Sequence, residues 1–306
     1  GSVLYNNLLM KNLPYILMVL LGGVLYGMMS SFVKLFYTYG YNAAELSFGQ
    51  ALGSAFVLAP TILLIKEKNT FPLDKKGGIS LLLTGAAIGM SNFLYYQSVS
   101  YIPASLAIVI LMQFTWISLL LDWLFYRVRP RKIELLTVLL ILIGTVLASG
   151  IFEQEVQSFS WIGIAFALAT SFTYASYIVA NSRIKNETAW QVKSTLIMTG
   201  SAICIFMVNA KTIVSSQHFD LNYGYMILFL SVLGTTIPTV LFVKSIPKIG
   251  AGISSILMTI ELPIAVICAH WVLGESLSKI QLLGILTMLG AIVWMNYVKS
   301  KKQSAL

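Results

Sequence analysis

Ten apolar runs joined by short polar links account for nearly the whole chain: residues 13–36, 44–65, 78–98, 103–125, 133–150, 160–181, 189–209, 223–245, 250–273 and 277–298. A helix rises about 1.5 Å per residue, so about twenty apolar residues cross a hydrocarbon core of about 30 Å. Each run meets or approaches that length, and the pattern predicts an all-α integral membrane protein with ten transmembrane helices. The first run follows Lys11, is about 24 residues long and lacks a small-residue cleavage site, so it is read as a retained helix.

The polar links set an orientation. Lys66, Lys68, Lys75 and Lys76, then Arg127, Arg129, Arg131 and Lys132, then Arg183 and Lys185, and finally Lys299, Lys301 and Lys302 all fall on one side, together with Lys11 and Lys248. The other side holds Lys34, Lys211 and Lys279. Basic loops stay in the cytoplasm, which predicts a multi-pass protein of the cell (inner) membrane with both termini cytoplasmic. Composition agrees: 58% of residues are hydrophobic and 10% charged, too few charges for a water-soluble domain. The net charge of +9 is parcelled among alternate loops, so it is topological and implies no nucleic-acid partner. Cys204 and Cys268 both lie inside apolar runs and suggest no disulfide framework.

A shift of 147 positions superimposes the second half on the first. Leu94, Ser98, Ile102 and Ala104 then meet Leu241, Ser245, Ile249 and Ala251, and Lys132-Ile133 meets Lys279-Ile280. Each half holds five runs, so the second enters the membrane from the opposite side. The chain is therefore expected to be two inverted five-helix repeats, residues 11–150 and 158–299. Such repeats build alternating-access transporters, with the solute site near mid-depth between them. Small residues one turn apart, Gly23 and Gly27, Gly49 and Gly53, Gly85 and Gly89, predict close helix packing.

Within this apolar frame the polar residues at mid-span carry the chemistry. Glu261 sits in the middle of the ninth run, where a carboxylate costs at least about 2.5 kcal/mol, and Pro263 two residues later weakens the helix there. Asn92 and Tyr95 on the third run, with Tyr96, and Gln113 and Trp116 on the fourth supply amides, phenols and an indole. Tyr26 on the first run and Tyr174 and Tyr177 on the sixth add rings. These form the expected substrate site, with Gln113 and Trp116 lining the cavity opposite Glu261. Aromatic faces there suit an apolar or cationic part of a small solute. Coupling or gating is assigned to Glu261, Lys244, Pro238 and Pro263, a proton competing with the solute at the carboxyl. Asp122 is expected to pair with Arg127 or Arg129, Lys193 to snorkel to the headgroups, and His270 to lie at the interface. No zinc-protease, phosphate-loop or nucleophile-and-base pattern is present, so neither an enzyme nor a cofactor is expected.

The second half carries a recognisable order: Lys244-Ser245-Ile246-Pro247-Lys248-Ile249-Gly250-Ala251, then Glu261-Leu262-Pro263, then Leu273-Gly274-Glu275-Ser276-Leu277 leading into Gln281-Leu282-Leu283-Gly284. In this order the chain resembles the EamA-like transporters of the drug/metabolite transporter superfamily. The resemblance implies two tandem five-helix units and a membrane carrier for an amino acid or related small metabolite, moved outward by alternating access. A drug or toxic-cation exporter and a lipid-headgroup flippase are the alternatives the same fold allows. The first half departs from the pattern, with Gln113-Phe114-Thr115-Trp116 where many members have a proline-centred helix, and Gln50 where a basic residue is often seen. The implied partners are a small-molecule solute, the lipid bilayer and protons. The oligomeric state is open.

Overall fold

A computed structural model describes the backbone of residues 2–66, 73–102, 104–153, 160–184 and 188–304, and side chains over the same stretches except 2–10, 104–105 and 300–304. Of the residues singled out in the sequence, Lys68, Pro103 and Lys185 lie outside the described residues, as do the side chains of Ala104, Lys301 and Lys302. Among the described residues ten helices are long and apolar enough to cross a membrane: α1 (Lys11–Tyr37), α2 (Ala43–Leu64), α3 (Lys75–Ser98), α4 (Leu106–Tyr126), α5 (Lys132–Glu153), α6 (Trp161–Ser182), α7 (Trp190–Val214), α8 (Leu221–Ile249), α9 (Ala251–Leu273) and α10 (Lys279–Lys299). Several begin where a side chain satisfies a free backbone amide. Asn42, Asp74, Ser160 and Asp220 accept from the N–H groups of Glu45, Gly77, Gly163 and Tyr223. The seventh run was expected to end at Asn209; instead α7 kinks there (φ −122°, ψ 21°) and continues to Val214.

The 147-residue shift holds in the backbone. The fourth span consists of Ala104–Leu111 and Phe114–Tyr126, the ninth of Ala251–Met258 and Glu261–Leu273, and every one of these starting positions differs by 147. Both spans end on a left-handed residue, Arg127 (φ 58°) and Gly274 (φ 69°), again 147 apart. Glycine takes that conformation freely, whereas Arg127 holds it at a steric cost. Lys132 and Lys279 then open the next helices.

Packing obeys the same exchange of halves. Helix α3 packs on α7 and α6, and its counterpart α8 packs on α2 and α1. Helix α4 lies against α6 as α9 lies against α1, while α5 with α10 and α2 with α7 form pairs that map onto themselves. The expected close approaches are present. A β-carbon on Gly85 would collide with the Ile197 carbonyl, and one on Gly27 would come to 2.5 Å from the Glu261 carbonyl. The second contact presses α1 directly onto the interruption in α9.

The interruptions have local causes. Pro263 has no N–H to give the Thr259 carbonyl, which accepts instead from Leu262 N at 3.2 Å. In α4 the equivalent residue is Trp116, and no proline is involved. There the Gln113 N–H turns to Ile110 O at 3.1 Å, and the Gln113 side-chain amide takes up the Val109 carbonyl at 3.2 Å. Helix α8 differs from its counterpart α3 in a π-helical stretch, Leu230–Thr236, which Pro238 follows.

Candidate solute-binding site

Three adjoining cavities run from one end of the bundle to its centre. The outermost, about 450 Å³, opens where α1, α3, α5 and α9 end, beside Lys34, Glu153 and Glu275. Lys34 Nζ lies 3.6 Å from the Glu275 carboxylate, tying α1 to the turn after α9 across the mouth. A small space of about 10 Å³ adjoins it beside Ile108, Leu111 and Met112. Beyond it lies an inner pocket of about 40 Å³ between Tyr26, Gln50, Asn92, Thr170, Tyr174 and Glu261. Ser30 and Tyr95 border all three spaces.

Glu261 is the first residue of the second segment of α9, so the interruption itself aims the carboxyl between the repeats. Tyr174 Oη donates to Glu261 Oε2 at 3.2 Å. Phe114 meets the Tyr174 ring edge-on at 4.7 Å, Tyr26 lies 6.3 Å from it, and Phe242 packs edge-on against Tyr26 at 5.3 Å. Tyr96 donates to Gln50 Oε1 at 3.0 Å, leaving that amide's N–H groups on the pocket side of α2 near Gly234. The Tyr26 hydroxyl is buried with no hydrogen-bond partner although it borders the pocket. Among the described residues no cation pairs with Glu261.

Of the residues expected from sequence, Glu261, Asn92, Tyr95, Tyr26 and Tyr174 are brought together around the inner pocket. Tyr177 is not. It is fully buried one turn away, stacked on Tyr174 at 6.5 Å and accepting from Asn181 Nδ2 at 3.2 Å. Gln113 and Trp116 also fall outside the three cavities, contrary to expectation. The position 147 residues before Glu261 is Phe114, and its neighbours on α4 point elsewhere. Trp116 is 42% exposed on the outside of the bundle and donates its indole N–H to Gln113 Oε1 at 2.7 Å, so the two close the break in α4. Lys244 is exposed, its ammonium 4.7 Å from the centre of the Trp190 ring. Pro238 and Pro263 are buried beside irregular backbone. Ser30, Ser91 and Thr170 were missed, although Ser30 stands one turn beyond Tyr26 on the same helix face.

The opposite end of the bundle is held by ion pairs. Arg183 Nη2 meets Asp122 Oδ1 at 2.8 Å while its guanidinium covers the Tyr126 ring at 4.1 Å, joining α6 to α4. Asp122 was expected to use Arg127 or Arg129. Arg183 from the second half of the chain takes the role instead. Lys299 Nζ lies 2.6 Å from Glu134 Oε1, locking α10 to α5. Lys193, expected to snorkel, is 4% exposed. At the mouth end, Glu45 in the first turn of α2 accepts from Asn42 and Ser216 and contacts His218 Nδ1 at 3.0 Å. Burial, and then the neighbouring Asp220, push the Tyr41 hydroxyl above its ordinary range, so it remains a donor to that carboxylate. His270 Nδ1 contacts the Glu275 carbonyl at 2.5 Å on the exposed surface.

Comparison with known proteins connects this geometry to a family. The profile of the EamA-like transporter family matches residues 13–150 and 161–297. The threonine/homoserine exporter RhtA of Escherichia coli K12 is 26% identical over 258 residues, covering 83% of this chain and 79% of its own. YcbK of Bacillus subtilis, described as an uncharacterized transporter, is 25% identical over 92% of this chain and 93% of its own. The protein sll1319 of Synechocystis, also described as an uncharacterized transporter, is 26% identical over 69% of this chain, and the match spans 65% of its length. A solved crystal structure shares the fold with a TM-score of 0.70 at 13% identity, over 95% of this chain and 98% of that one.

Proposed function

Since the chain belongs to the EamA-like transporter family, we propose that it carries an amino acid or a related amino-bearing metabolite outward by alternating access, with Glu261 receiving the amino group. The observation that carries this reading is a cavity that opens beside Lys34 and Glu275 and leads to a carboxylate facing tyrosines and amides, with no cation paired to it among the described residues. A buried carboxylate without a counter-ion is costly, and a solute cation relieves that cost. By the placement of basic loops, the mouth at Lys34 faces the outside and both termini face the cytoplasm. The form described here is then outward-open, with Asp122–Arg183 and Glu134–Lys299 closing the inner end. Inward opening requires those pairs to part while the helices around Lys34 and Glu275 close.

Export and an amino-acid solute follow the printed name of RhtA and the fit of a 450 Å³ vestibule to a small metabolite. The tyrosines around Glu261 favour a second reading, an exporter of organic cations, because aromatic faces attract positive charge. The test is flux of labelled threonine, homoserine, lysine and a quaternary ammonium dye in proteoliposomes. The first reading expects amino-acid flux that falls as both compartments are acidified together, because a proton then occupies the carboxyl. In Glu261→Gln that pH dependence should vanish with the flux. Dye flux without amino-acid flux would select the second reading.

A further inference from the structure

Resting on the reading of Glu261 as the solute site, we propose that the inner pocket is a subsite for a primary ammonium group, entered head first, that excludes trimethylated ammonium. Size is the first argument. The inner pocket, at about 40 Å³, is less than a tenth the size of the vestibule of about 450 Å³, and only about 10 Å³ of further space adjoins it beside Ile108, Leu111 and Met112. A primary ammonium has nearly the dimensions of a water molecule. A trimethylammonium head is several times larger, and Tyr95 and Ser30, which border all three spaces, crowd it.

The second argument is a count of acceptors. A primary ammonium offers three N–H donors. The Glu261 carboxylate spends Oε2 on Tyr174, and Oε1 has no protein donor among the described hydrogen bonds. Tyr26 Oη is buried, borders the pocket and has no partner. Ser30 gives its hydroxyl proton to Gly27 O at 2.9 Å, which leaves its oxygen free to accept. Three acceptors therefore border the pocket against the three donors of a primary ammonium, and a quaternary nitrogen has no N–H to give any of them. The groups facing Glu261 from α1, α2, α3, α6 and α8 are Tyr26, Gln50, Asn92 with Tyr95 and Tyr96, Tyr174, and Gly234, all uncharged, so the pocket lining offers a second carboxylate no cation. A zwitterion's acidic end stays in the vestibule, which is lined by Lys34 together with Glu153 and Glu275.

The test uses purified full-length protein with n-butylamine and n-butyltrimethylammonium as probes, binding read by thermal shift and by competition with the transported solute. Butylamine should bind at least about tenfold tighter than its trimethyl analogue, because the analogue leaves buried acceptors unpaired. Tyr26→Phe, which removes one oxygen and keeps the ring, should weaken butylamine about threefold to tenfold and leave the trimethyl probe unchanged. Equal or tighter binding of the trimethyl probe overturns the inference, as does failure of butylamine to bind. If both probes bind through Glu261, as judged by loss in Glu261→Gln, but without discrimination, the subsite fails while the solute site stands. If butylamine binds Glu261→Gln as tightly as the unaltered protein, the reading of Glu261 itself fails.

Discussion

The interruptions of α4 and α9 are the same backbone feature built from different chemistry. Both break after the second turn, both resume 147 residues apart, and both direct a side chain at Tyr174. In α4 that side chain is Phe114, 0% exposed and packed edge-on against the ring; in α9 it is Glu261, hydrogen-bonded to the hydroxyl. The backbone repairs differ too. Gln113 satisfies the Val109 carbonyl, whereas in α9 the Thr259 hydroxyl donates to Ile256 O at 2.6 Å. The fold therefore needs an interrupted helix at both places but no carboxylate at either. A phenylalanine serves the first repeat, and on the function proposed above the charge in the second belongs to the task.

This contrast is broken most strongly at the carboxylate. Glu261→Gln should lower solute flux by about 100-fold or more, since it removes the group that stabilises the solute's charge, while thermal stability stays equal or rises. Flux assays and a melting curve on the same preparation check both halves. Phe114→Glu reverses the asymmetry and should fail in the other sense. A second acid in a fully packed position, beside Tyr174 and without a cation, should cost several kcal/mol and most of the folded yield, measured by size-exclusion chromatography. Tyr174→Phe keeps the ring contacts but deletes the hydrogen bond to Glu261. About 1.5 kcal/mol for a bond to a charged group corresponds to a change of about tenfold in solute affinity, read by competition binding. The smallest effect on transport is expected at Gln113→Leu combined with Trp116→Leu. Flux should stay within about threefold, while the orphaned Val109 carbonyl lowers stability by about 1–2 kcal/mol.

Much of this was legible in the sequence, for reasons tied to the solvent. A bilayer requires every backbone group to be satisfied within its own helix, so apolar runs map directly onto spans. An acid in such a run is expensive enough to mark the site, and Glu261 with Tyr26, Asn92, Tyr95 and Tyr174 reaches the inner pocket. Facing was harder to read. Gln113 and Trp116 have the polarity of pathway residues, yet one repairs a broken backbone and the other lies on the outer surface. Applied strictly, the 147-residue shift pairs Glu261 with Phe114, an apolar residue that a search for polar groups passes over. Asp122 turned to Arg183 because helix packing between repeats brings distant residues closer than the arginines just after it in the chain. The π-helical stretch in α8 left no pattern in composition to predict it.

Carbodiimide labelling of Glu261, quantified by peptide mass spectrometry with and without saturating transported solute, tests the solute's place at this carboxyl most directly. A solute ammonium seated against Glu261 should block the reagent's access to the carboxyl, cutting modification about tenfold or more. Unchanged labelling at saturating solute would show that the cargo crosses the membrane without occupying Glu261, and the site described here would not be the transport site.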